Sequence, residues 1–161
     1  MNTLTKPLGA LLILAASAYT AYLTSKRERK KLLLLDAWIE LLFYIRGEIE
    51  CYLTPRKQLL RKADSSLLQR CADSTKAPIR DWDTLLQHAL PMLDEKSRSL
   101  LSRFSQELGE CYREEQLRRC DHYLNSLQRI REALAQELPR AVKLGVSLRV
   151  CAALAVTILL W

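Results

Sequence analysis

Glycine and proline are scarce in this 161-residue chain, at four and five. An all-β fold needs both at its many turns, so that class is excluded. The five cysteines, Cys51, Cys71, Cys111, Cys120 and Cys151, are odd in number and include no CxxC pair. Cys120 and His122 form a C-x-H, but no second pair at zinc spacing accompanies it. The cysteines therefore read as small buried hydrophobes on helix faces, in a compartment that keeps thiols reduced. Only two histidines occur, His88 and His122, and they fall on different predicted helices. No nucleophile turn and no glycine-rich phosphate loop is present. Asp81 and Asp83 are two apart and point to different sides of a helix, which suits solvated carboxylates better than a catalytic pair. The expectation is a non-enzymatic protein with no catalytic, cofactor-binding or metal-binding residues.

An excess of charge of one sign is absent from the middle as well. Residues 32–137 hold 16 basic and 17 acidic side chains, so the net charge of +7 arises elsewhere. Its sources are Lys6, the cations of residues 26–31, and Arg140, Lys143 and Arg149, all beside the apolar ends. A nucleic-acid binder would gather its cations on a folded face or a recognition helix, so no nucleic-acid partner is expected.

What is present is apolar sequence at both ends. Residues 7–25, PLGALLILAASAYTAYLTS, carry no charge. From Leu8 they span about 27 Å as a helix, close to the hydrocarbon thickness of a bilayer. Tyr19 and Tyr22 suit its interfacial belt. Ala16-Ser17-Ala18 also resembles a signal-peptidase site. Against cleavage, the apolar run continues to Leu23 and meets five cations, an unusual start for an exported chain. Residues 144–161, LGVSLRVCAALAVTILLW, form the second apolar end, interrupted by Arg149. The uninterrupted part from Val150 reaches only about 18 Å, so it spans with thinning, lies half-inserted, or sets its Arg against an acid. The cations that follow the first span and precede the second place the middle in the cytoplasm by the positive-inside rule. The expected organisation is a transmembrane segment at 1–25, a cytoplasmic helical domain at 26–143 and a C-terminal apolar or transmembrane segment at 144–161.

The middle is rich in Leu, Arg, Glu, Gln and Ala, which favour helix. Leu35, Trp38, Leu42, Ile45, Ile49 and Tyr52 are spaced as the seam of a packed helix, widened by Leu34, Leu41 and Phe43. Thr54 and Pro55 then serve as N-cap and first residue of a second helix with Leu60, Ala63, Leu67 and Cys71 inward. Residues 73–78 read as a loop. A short third helix carries Ile79, Trp82, Leu86 and Ala89 and ends near Pro91. Asp94 caps a fourth, with Leu100, Leu101, Phe104 and Leu108 inward and Gly109 as terminator. A long fifth carries Leu117, Cys120, Leu124, Leu127, Ile130, Leu134 and Leu138. Glu114, Glu115, Arg118 and Arg119 form ion pairs on its exposed face. The fold class is all-α, an antiparallel helical bundle with a transmembrane helix at its N-terminus and another at its C-terminus.

The order of these parts resembles the stage III sporulation protein AB family of endospore-forming bacteria. Glu48-Ile49 followed by Thr54-Pro55 resembles its E-I-x-x-x-x-T-P block, and Phe104, Leu108, Gly109 and Gln116 resemble its F-x-x-x-L-G-x-x-x-x-x-x-Q block. The tail from Lys143-Leu144-Gly145 is similar too. The chain departs from the pattern at Cys51-Tyr52, where a Tyr precedes the T-P, at Arg56 for Leu, at Tyr112 for Asp and at Arg149.

The resemblance implies a component of the channel complex in the mother-cell membrane facing the forespore, required for endospore formation. It implies a soluble cytoplasmic domain like that of the type II secretion platform protein. Its implied partners are membrane lipid, the secretion-type sporulation ATPase and other channel membrane proteins; self-association is left open. An adaptor coupling a motor to a pore is the reading that follows. The alternative is a membrane-anchored helical sensor or regulator of a cytosolic partner. The motif residues are either a helix end and cap or a partner contact, and Glu114, Glu115, Arg118 and Arg119 are the candidate partner surface.

Overall fold

Apolar residues recurring every three or four positions make each segment bury one stripe, and the chain meets that demand with helices throughout. The structure, a computed structural model, describes residues 5–159 except Leu53, 74–78 and Arg80; side chains are described from Ala15 to Leu138, with Ser17 and Ala21 as further exceptions. The helices are α1 (Thr5–Tyr52), α2 (Arg56–Lys62), α3 (Ser65–Ala72), α4 (Trp82–Ala89), α5 (Glu95–Glu107) and α6 (Arg113–Leu159), with a 3-10 turn at Leu90–Met92. The chain divides into two compact units. One is Lys31–Ala133; the other takes the residues up to Lys30 and those from Leu134 onward.

Within Lys31–Ala133, α1 supplies the centre of the core. Leu35, Trp38, Leu41, Leu42 and Ile45 are almost wholly buried, and so are Leu34 and Ala37 beside them. The buried face is broad enough to need neighbours on several sides. Trp38 Nε1 donates to the carbonyl of Cys71 at 3.1 Å. That carbonyl lies in the last turn of α3, where no intrahelical donor remains, so the indole both fills the core and caps a neighbour. Around this centre Phe104 of α5 meets Trp82 of α4 edge-on at 6.1 Å and Tyr123 of α6 at 5.4 Å. Such T-shaped contacts align ring edges with ring faces.

Ion pairs set the direction of α6 against α1. Asp36 pairs with Arg131 at 2.8 Å and Arg46 with Asp121 at 2.6 Å. Ten residues forward on α1 match ten backward on α6, so the two helices run antiparallel. These pairs are one-third to one-half exposed, and each contributes roughly 0.2–1 kcal/mol. They fix register more than they hold the fold.

Several expectations are corrected. The helix expected after Pro55 is two helices. Ala63 and Asp64 are both extended, and Asp64 caps α3 by accepting from Ser66 N. Leu59-Leu60 and Leu67-Leu68 are all buried, yet eight residues of continuous helix would turn the second pair roughly 80° from the first. The break lets both pairs face the core. Thr54 is not the N-cap of α2; Pro55 holds that place without a side-chain bond, and the Thr54 hydroxyl goes to Glu48 instead. Tyr52 is 72% exposed, being the last residue of α1 and beyond the packed seam. Phe43, 52% exposed, shares its helix face with Glu40 and Glu50, which are also exposed. Leu100, Leu117, Ile130, Leu134 and Leu138 are half-buried rather than inward. Of the 73–78 loop only Asp73 is described, left-handed with φ 46° at the C-cap of α3.

Among the described residues no helix is long and apolar enough to cross a membrane. The apolar ends expected to span, 7–25 for the most part and 144–161 entirely with Arg149 and Cys151, lie outside the described side chains. The assignment of those ends to a bilayer therefore rests on their sequence.

Trp38→Ala should destabilise a fragment of residues 26–143 by about 3–5 kcal/mol through the cavity it opens. Trp38→Phe keeps most of the volume but strands the Cys71 carbonyl, at about 1–3 kcal/mol. Denaturant melts followed by circular dichroism check both. A Trp38→Phe fragment as stable as the parent would show that the α3 cap does not matter.

Candidate functional site

Two turns, one leading from α1 into α2 and the other from α5 into α6, meet at one corner of the Lys31–Ala133 unit. At the first, Thr54 Oγ1 donates to Glu48 Oε2 at 2.6 Å. Lys62 Nζ donates to Thr54 Oγ1 at 3.3 Å and lies 3.5 Å from the same Glu48 oxygen. The end of α1 is thereby tied to the end of α2. Glu48 is largely buried, its side chain 14% exposed, so its charge needs both partners. It also helps to hold the Tyr44 hydroxyl above the usual phenol range, after burial, the larger cause.

At the second turn, Gly109 has φ +88°, a left-handed conformation that ends α5 cleanly. Its N–H donates to Gln116 Oε1 at 3.0 Å. Gln116, buried and in the first turns of α6, thus reaches back to satisfy the backbone of the turn before it. A Cβ placed on Gly109 would lie 3.5 Å from Arg56 Cβ, so the two turns are in near contact. The Arg113 guanidinium donates to the carbonyl of Glu50, an orphan acceptor at the end of α1.

Between the turns is a cleft of about 410 Å³. Ile49, Leu59 and Leu108 give it an apolar floor, and Arg56, Glu110 and Arg113 give it charge. Thr54, Pro55, Gly109, Cys111 and Gln116 complete the lining. The two sequence blocks, far apart along the chain, converge here: Ile49, Thr54 and Pro55 from one, Leu108, Gly109 and Gln116 from the other. Glu48 stands behind the wall through Thr54, and Phe104 belongs to the aromatic core.

The quartet singled out on the start of α6 does not line this cleft. Glu115 takes both arginines, Arg118 at 2.7 Å and Arg119 at 3.2 Å, and these bonds, Arg118's first, hold its carboxyl below the ordinary glutamate range. Arg119 also reaches Glu107 at 3.3 Å, which accepts from Tyr123 Oη at 2.9 Å. Burial and that bond push the Tyr123 phenol up to about 12. Arg119 and Glu115 therefore brace α5 against α6, while Glu114 and Arg118 face solvent. Asp81 caps α4, accepting from Thr84 N and Oγ1. Buried Cys71 and Cys120 have thiols pushed up to about 12 and about 11 by desolvation. No cluster of three His, Cys, Asp or Glu able to hold a metal occurs among the described residues.

Sequence reasoning missed Arg113, Glu110 and Leu59, read Cys111 only as a small hydrophobe although it is half-buried in the cleft lining, and noticed Arg56 only as a departure. The run Arg56-Lys57-Gln58-Leu59-Leu60-Arg61-Lys62 was the available signal: four cations around two core leucines.

A family model described as stage III sporulation protein AB matches residues 6–161. The chain belongs to that family. Membership carries a role in sporulation, and the two blocks that resembled the family in sequence are those that build the cleft. No curated protein and no solved structure matches the chain.

Gly109→Ala should cost about 1–2 kcal/mol, because an L side chain disfavours a left-handed φ. The added methyl finds ordinary contact distance to Arg56, so the cost is in the backbone, and Gly109→Asn should cost less. Gln116→Leu should lose about 1 kcal/mol with the Gly109 bond. Thermal melts of the three variants check the order; an Ala variant matching wild type would place the turn in another conformation.

Proposed function

We propose that this protein is a non-enzymatic membrane adaptor of the mother cell–forespore channel complex, coupling a secretion-type ATPase to the channel. The observation that carries the reading is the convergence of both family blocks on one cleft. There Gln116 and Gly109 bond each other, as do Glu48, Thr54 and Lys62. Residues bound to one another in this way shape a surface, and a rigid shaped surface is what a docking protein needs.

Attachment to the membrane is supported by the charge-free run of residues 7–25 and the cations that follow it. Tyr19 and Tyr22, 64% and 62% exposed, are amphipathic rings of the kind that sit at a headgroup layer. Thr24 Oγ1 donates to the Thr20 carbonyl at 2.9 Å, satisfying within the helix a hydroxyl that would otherwise need water. On this reading the Lys31–Ala133 unit works in the cytoplasm of the mother cell.

Deleting the gene in an endospore-forming host should leave engulfment intact and stop forespore development afterwards, and the tagged protein should co-purify the sporulation ATPase. Full sporulation of the deletion strain would remove the adaptor reading and leave that of a sensor. For topology, Cys51 is the reporter, since it is exposed whereas Cys71 is buried. With Cys111 and Cys151 replaced by Ser, an impermeant maleimide should label Cys51 only after permeabilisation. Labelling in intact cells would put this domain on the other side of the membrane.

A further inference from the structure

We infer that the cleft receives an acidic segment of a protein partner, anchored by an apolar side chain, with α2 as its electrostatic grip. The inference rests on the adaptor reading only in requiring a protein partner. It starts from how the domain distributes its charge. Arg46, Arg70, Arg119 and Arg131 each hold a carboxylate of this chain. On α2 only Lys62 does so, through Glu48. Arg56, Lys57 and Arg61 are exposed and make no ion pair among the described residues. In a domain whose charges nearly cancel, three unengaged cations on one seven-residue helix are a local surplus.

The same helix adds Leu59 to the cleft lining with Ile49 and Leu108, and Arg56 to it with Arg113. A volume of about 410 Å³ falls in the ordinary range of ligand clefts. Tyr112, 91% exposed, lies between the lining residues Cys111 and Arg113 in sequence, and Tyr52, 72% exposed, comes two residues before Thr54. Large exposed aromatics beside an arginine are the composition of interface hot spots. Glu110 is the one acid in the wall, and it opposes a ligand of pure negative charge. A segment bearing both an apolar anchor and flanking carboxylates fits all of these features. A flat anionic membrane would meet the cations of α2 and leave the apolar floor unfilled.

The test uses the full-length protein in three forms: wild type, Arg56→Glu/Lys57→Glu, and Lys96→Glu/Arg129→Glu. The last reverses two exposed cations away from the cleft. All three should give the same helical circular dichroism spectrum. Purified from sporulating cells, wild type and control should retain the ATPase, and the α2 variant should retain about tenfold less. Equal retention by the α2 variant would overturn the cleft inference and leave the adaptor reading. No ATPase on the wild type would instead count against the adaptor reading, and the cleft is then decided by a direct probe. That probe is a short fluorescent peptide alternating Glu and Leu, measured by anisotropy on protein in zwitterionic nanodiscs with empty discs subtracted. It should bind wild type, weaken in the α2 variant and in high salt, and outcompete a Glu–Ser peptide. Failure of the Glu–Leu peptide to bind overturns the inference. If the nanodisc protein floats with phosphatidylglycerol vesicles in an α2-dependent manner while the peptide does not bind, α2 is a lipid contact and the inference is overturned likewise.

Discussion

The burial of Trp38 is the constraint from which the arrangement of the Lys31–Ala133 unit follows. Its side chain has no exposed surface, and its only polar atom finds the Cys71 carbonyl. Filling that volume and satisfying that N–H together require the end of α3 to lie against the middle of α1. With α3 in place, Leu67, Leu68 and Cys71 are buried, and α4 follows onto α3. Trp82 of α4 then meets Phe104, which meets Tyr123, closing the aromatic contacts from α4 through α5 to α6. Hydrophobic burial supplies most of the driving force, at about 1.5–3 kcal/mol per large side chain. The single indole hydrogen bond contributes direction that apolar contact lacks.

At the corner where the α1–α2 and α5–α6 turns meet, polar bonds take over. These turns bury Ile49, Leu59 and Leu108 beside them, but their polar groups need partners as well. Their backbone groups are met by side chains: Gly109 N–H by Gln116, the Glu50 carbonyl by Arg113. Glu48, Thr54 and Lys62 form a second set of bonds across the first turn. The side chains bonded across these turns leave a cleft between them. The chain belongs to a sporulation family, and the two sequence blocks that resemble that family come together at this corner.

The charges of the domain fall into two groups. Pairs between α1 and α6, and the Glu107–Arg119–Glu115 group, sit along helix faces and hold register. The cations of α2 take part in none of these. Arg118, the most exposed of the paired arginines, has the weakest structural duty of its group, since Glu115 also holds Arg119. A surface reader looking for charge alone would choose α6. The packing shows that much of the charge at the start of α6 is committed inside the protein.

The sequence alone determined the helical class, the buried stripe from Leu35 to Ile49 and the turn at Gly109. Each depends on local spacing or on one residue's backbone preference, and both are legible along the chain. The resemblance of the two blocks to a family was legible for the same reason, since a block is a local pattern. Tertiary structure decided what those blocks do. Thr54 had a local reading as a cap, its oxygen accepting from a backbone N–H, but once the chain turned its hydroxyl donates to the carboxylate of Glu48 and its oxygen accepts from Lys62. The helix after Pro55 had a continuous pattern, but two leucine pairs facing one core forced a break at Ala63. Arg119 read as exposed until Glu107 of another helix was brought beside it. In each case the deciding partner lies where only folding brings it, because a side chain's best partner is chosen by distance in space and the sequence records distance along the chain.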